Sequence, residues 1–149
     1  MSDDPKRFRF LRLEVWREGR KLCGIVSRMV GKFPREEAFG LTSQMRRSVR
    51  SVCANIAEGR GRNDEKDFAQ FVEMASGSAP EVASDGFPAL DGGYITQADL
   101  EQLLVQVEGV VSKASGLHRK LAATGISGAP RSALRAPRSA LRALRKARP

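Results

Sequence analysis

Aromatic residues are scarce in this 149-residue sequence: one Trp, one Tyr and seven Phe make up 6% of it. That leaves little aromatic interleaving among the basic residues, so base stacking of the single-strand-binding type is not indicated. The two cysteines, Cys23 and Cys53, are too few for a disulfide scaffold and lack metal-ligand spacing. A lone histidine, His118, makes a poor zinc site, because zinc takes four ligands and no Cys or Asp cluster accompanies it. No nucleophile motif is present, and GRGR at 59–62 lacks the rest of the Walker spacing. The expectation is therefore a non-enzyme without a cofactor. No apolar run approaches the ~18–20 residues that span a bilayer. The opening MSDDPKRFRF has charge but no apolar h-region, so a secretory signal is not expected and a cytoplasmic location is.

What is present is charge and helical rhythm. With 41% apolar and 29% charged residues, the composition suits one soluble domain. The net charge of +9 is unevenly placed. Residues 129–149 contain no acid and carry +7, from Arg131, Arg135, Arg138, Arg142, Arg145, Lys146 and Arg148. Residues 6–62 carry +10 and residues 63–110 carry −9. The two basic stretches are the candidate surfaces for a polyanion, and the basic and acidic halves should attract each other within or between chains.

Apolar residues recur at intervals of three and four in four segments, which predicts amphipathic helices. The first runs from about Phe10 to Val30 and ends at Gly31 and Pro34. The second starts near Thr42 as N-cap, buries Leu41, Met45, Val49, Val52, Cys53 and Ile56, and has Gly59 at C′, where a left-handed backbone is needed. The third is capped by Asn63 or Asp64, with acids in its first turn and an apolar face of Phe68, Phe71, Val72, Met74 and Ala75. Pro80, Gly86, Pro88 and Gly92 follow. Carrying a helix through all four would cost on the order of 8 kcal/mol, against a typical domain stability of about 5–15 kcal/mol. The sequence thus predicts a kink at Pro80 and loss of helix before Pro88. The fourth helix is capped by Thr96, with Asp99 three residues on, and keeps its rhythm from Leu100 to Leu121.

This reading gives an all-α chain: an N-terminal extension at 1–9, an antiparallel up-and-down four-helix bundle at 10–125, and a low-complexity tail at 126–149. In the tail APRSALR occurs twice, at 129–135 and 136–142. Its prolines and single leucine per repeat argue against a coiled coil and for disorder in isolation.

The segments LEVW at 13–16, FPREEAFGLTSQMRRSVRSVCANIAEGRGR at 33–62 and DFAQFVEMASGS at 67–78, with Glu81 and GYI at 93–95, carry a closer likeness. Over about residues 8–122 the chain resembles the bacterial four helix bundle protein family, also called the rRNA intervening-sequence protein family. The resemblance implies an antiparallel bundle assembled as a homopentameric ring, encoded within rRNA intervening sequences. A related branch, the accessory protein of diversity-generating retroelements, associates with nucleic acid and a reverse transcriptase through a basic surface. No enzymatic activity is attached to the family. The chain departs from the pattern at Pro80–Gly92, where the family has a continuous leucine-rich helix, and in its arginine tail. A decaying mobile-element gene would account for the first departure.

Arg46, Arg47 and Arg50, with Arg60 and Arg62 beyond the end of the helix, form the candidate phosphate-binding patch, together with the seven cations of the tail. Such contacts would bind RNA or DNA without reading sequence. The alternatives are a solvated face, salt bridges to the acids of the third helix, or a protein-interaction scaffold without a nucleic-acid role. Asn55 and Glu58 read as structural, satisfying backbone groups or pairing with an arginine near the helix end.

Overall fold

The computed structural model describes residues 8–125. The N-terminal residues 1–7 and the tail expected to be disordered lie outside them. The four helices are α1 (Glu14–Val30), α2 (Leu41–Gly61), α3 (Glu65–Asp91) and α4 (Gln97–Gly125), with 3-10 turns at Arg9–Arg12 and Arg35–Glu37. Among the described residues there is no strand. Each helix packs on its chain neighbours and α1 closes the ring against α4, which is the up-and-down bundle expected.

Cross-helix contacts fix the antiparallel register. Going up α1, Glu14 meets Lys113, Glu18 accepts from Gln106, and Lys32 beyond the helix end lies 3.8 Å from Asp99, so α4 runs the other way. Between α2 and α3, Ser48 donates to Glu81 and the Ser51 and Ser78 hydroxyls lie 3.0 Å apart. At the far end of this pair Gly59 faces Phe71 and Phe68. Thr124 at the end of α4 bonds Glu65 at the start of α3. The interior is apolar, with Leu22, Val26, Met45, Val52, Ile56, Val72, Val82, Leu103, Val107 and Val110 fully buried and Ser48 the one buried polar residue among the described residues.

The helix starts differ from expectation in two places. Leu13 is extended (φ −81°, ψ 125°), so the first helix begins at Glu14 and Phe10 sits in the preceding 3-10 turn. The second begins at Leu41 with Gly40 as N-cap, two residues earlier than a Thr42 cap would place it, and Thr42 does not cap it. Instead the Glu37 carboxylate, four residues upstream, accepts the Leu41 N–H at 3.1 Å. The other two caps are as read: Asp64 accepts the Lys66 N–H, and Thr96 and Asp99 exchange side-chain-to-backbone bonds as a capping box.

The larger correction is α3, which continues through Pro80 and Pro88 to Asp91. The summed cost treated four residues as independent defects in an isolated helix. Only Pro80 is one. Pro88 lies in the last turn, and the carbonyl it cannot engage belongs to Ser84, on an exposed residue. Gly92 is the C-cap. Gly86 is buried where a Cβ would stand 2.7 Å from Leu103 Cδ2 and 2.8 Å from Leu100 Cδ1, so its missing side chain is the space that α4 fills. Burial of Ala79, Val82, Ala83 and Ala89 across the same stretch supplies packing that outweighs propensity. Gly59 is a packing glycine too: it lies inside α2, buried, with a would-be Cβ 2.5 Å from Phe71 Cβ. Among the described residues the positive-φ glycine is Gly93, at 74° in the α3–α4 turn. Met74, assigned to the apolar face, is 47% exposed.

Candidate nucleic-acid interface

α2 has no acid between Leu41 and Ala57. Arg46 and Arg50, four apart, and Arg47 and Arg50, three apart, are surface neighbours, so their charges repel along the helix. All three are exposed, and with Ala38, Thr42 and Ser43 they line a groove of about 360 Å³. None of the three makes an ion pair with a described carboxylate. Guanidinium groups present donors in a rigid fork that matches phosphate oxygens. Here three such residues, with Thr42 and Ser43, line one open depression.

Arg60 and Arg62 lie apart from this groove. Thirteen residues of helix separate Arg47 from Arg60, about 20 Å at the α-helical rise. Arg60 is half-buried with its guanidinium 5.7 Å from the Phe68 ring centre. Burial, then the positive charges of Arg9 and Arg12, push its pKa down, while Glu65 opposes them. Arg9, Arg12 and Arg60 thus form a second positive cluster, assembled when the N-terminal 3-10 turn docks on α2. The sequence reading did not include Arg9 and Arg12 among the site residues; the signal was the excess charge of residues 6–62, which gave no spatial partner. Arg62 is engaged: it donates to Glu58 at 2.9 Å and stacks over Phe71 at 5.2 Å. That i,i+4 pair is the helix-end arrangement expected for Glu58. Asn55 donates to the Ser51 carbonyl at 2.9 Å, the structural role foreseen for it.

Among the described residues no salt bridge ties the arginines to the third helix. Glu65, Asp67, Glu73, Glu81 and Asp91 on α3 make no ion pair among the described residues. Burial, followed by the negative charge of Glu81, pushes the Asp85 carboxyl above its usual range, and its Oδ2 is enclosed without a hydrogen-bond partner. His118 is half-buried near the end of α4, and among the described residues no three His, Cys, Asp or Glu side chains gather as a metal would need. No described helix is long and apolar enough to cross a membrane.

The family model described as 23S rRNA-intervening sequence protein matches residues 12–116. The chain belongs to the 23S rRNA-intervening sequence protein family. The match covers α1, α2, α3 and most of α4, including the arginine groove, and it confirms the resemblance drawn from the signature segments. It also spans the proline-bearing part of α3, which is helical throughout. A search of curated proteins finds no match to the chain.

Proposed function

We propose that this intervening-sequence family member is a non-enzymatic oligomeric bundle, a homopentamer as the family resemblance implies, that acts as a nucleic-acid accessory factor in the cytoplasm. It engages RNA or DNA phosphates through Arg46, Arg47 and Arg50. The tail cations and the Arg9–Arg12–Arg60 cluster extend the positive surface, and a reverse transcriptase is the protein partner that the related branch suggests. The observation that supports this reading is the groove itself: three exposed arginines line one depression, with no described carboxylate in an ion pair with them. An anion placed there relieves their mutual repulsion. In a ring the groove repeats, and avidity follows.

The test is fluorescence anisotropy with labelled duplex RNA over a salt series. Reversing Arg46, Arg47 and Arg50 to Glu should weaken binding and lower the log–log salt slope by up to about 2.7 on duplex. Removing residues 129–149 should flatten it further. A mass near 82 kDa by light scattering, five times the 16.3 kDa chain, tests the ring.

A second reading, a scaffold in which arginines of one subunit meet acids of the next, is favoured by the ion-pair-free carboxylates of α3. If the charge reversal separates subunits and leaves nucleic-acid affinity untouched, the scaffold reading replaces the first.

A further inference from the structure

Cys23 lies on α1 and Cys53 on α2. The register of α1 against α2 brings them together. Their sulfurs lie 3.8 Å apart, 30 residues apart in sequence, and both thiols are free. Gly19, one turn before Cys23, is buried where a Cβ would stand 3.0 Å from Cys53 Sγ, so the two helices approach closely at this level. Both residues are half-buried rather than sealed, so a small reagent can reach them. Cys23 also faces the Val49 carbonyl at 3.6 Å.

We propose that Cys23 and Cys53 are a redox-active dithiol, which a hydroperoxide converts into an intramolecular disulfide tying α1 to α2. A disulfide needs its sulfurs about 2.05 Å apart, so the present separation of 3.8 Å must shorten by about 1.8 Å. The chemistry has two steps. The Cys23 thiolate attacks one peroxide oxygen, the O–O bond breaks, and the other oxygen leaves as alcohol or water after taking a proton. This leaves a sulfenic acid on Cys23. Cys53 sulfur then attacks Cys23 sulfur, the S–O bond breaks, and the hydroxyl departs as water with the Cys53 proton. Two thiols lose two electrons and two protons, and one peroxide is reduced.

The surroundings assign the roles. The hydrogen bond from Cys53 holds the Cys23 pKa down at about 7, burial opposes this, and the Arg50 charge adds to the lowering. The same hydrogen bond, with burial, pushes Cys53 up. The Arg50 charge acts on Cys23 and not on Cys53, which favours Cys23 as the attacking sulfur and leaves Cys53 to resolve it.

The experiment uses the full reduced chain treated with one equivalent of hydrogen peroxide. Trypsin should release residues 22–28 joined to residues 51–60, lighter by two hydrogens than the separate peptides, while a non-reducing gel shows no new cross-linked dimer. The cross-link should raise the Tm by about 10 °C, reversibly with dithiothreitol. In Cys53→Ser, the Cys23 sulfenic acid should persist long enough to be trapped by dimedone, with no rise in Tm. Independent oxidation of each sulfur to sulfinic acid without the linked peptide, or disulfides only between chains, would overturn the proposal. The wild-type peptide map decides this whether or not the variant folds.

Discussion

Gly59 and Gly77 are both glycines inside helices, and replacing each by alanine should move stability in opposite directions. Helix propensity favours alanine by about 0.8–1.0 kcal/mol at either site. At Gly77 nothing lies within 4 Å of the added Cβ and the residue is exposed, so the full gain of about 1 kcal/mol should appear. At Gly59 the added carbon would stand 2.5 Å from Phe71 Cβ, 3.0 Å from Phe68 Cδ2 and 3.2 Å from Phe71 Cγ. Apolar carbons sit comfortably about 3.5–4.0 Å apart. The nearest obstacle is a Cβ, which no rotamer change moves, so α2 and α3 must part locally by roughly 1 Å. Overpacking of this kind costs about 1–3 kcal/mol. Taking the upper end and subtracting the propensity gain, Gly59→Ala should lose about 2 kcal/mol. At about 4 °C per kcal/mol for a chain of this size, the two variants should melt roughly 8 °C below and 4 °C above the parent. Urea titration of the three proteins, with unchanged m-values, is the assay. If Gly59→Ala stabilised the fold as Gly77→Ala does, the close approach of α2 and α3 would be refuted.

Further outcomes follow from the other elements. Pro80→Ala restores the N–H that Ser76 lacks as a partner and should raise stability by about 1–2 kcal/mol in urea, since the propensity difference of ~3 kcal/mol is offset by the looser unfolded chain. Gly93→Ala places a Cβ at φ 74° and should cost about 1 kcal/mol by the same measurement. The Thr96 backbone N–H holds the Asp99 carboxyl below its ordinary 3.8. A depressed folded pKa gives stabilisation that is present above the unfolded value and fades as pH falls through the folded one. Asp99→Ala should thus be less stable than the parent by about 1 kcal/mol near neutral pH, and the gap should close as the pH falls through the carboxyl's lowered folded pKa.

Much of this architecture is legible in the sequence, because three-four spacing of apolar residues is a direct imprint of the helix period. The arginine groove is legible for the same reason: positions 46, 47 and 50 must share a helical face, and no acid lies nearby in sequence. What escaped the reading depends on contacts between segments. The Glu37 cap comes from outside the first turn. Gly59 and Gly86 look like helix breakers until the side chains filling their places are known. The meeting of Cys23 and Cys53 requires the lengthwise register of two helices, which no single-segment pattern contains. Arg62 looks as available as Arg50, and only its ion pair with Glu58 and its place over Phe71 separate them.

Glu37 has a wider reach than a helix cap. One of its oxygens holds the Leu41 N–H and the other accepts from the Tyr94 hydroxyl at 3.2 Å, while the Tyr94 ring leans on Phe33. Two loops far apart in the chain are thereby strapped together at one pole of the molecule, on a single acidic side chain. The turn from which the arginine-bearing rod departs is moored to the loop joining the last two rods, so slackening either loop loosens the other.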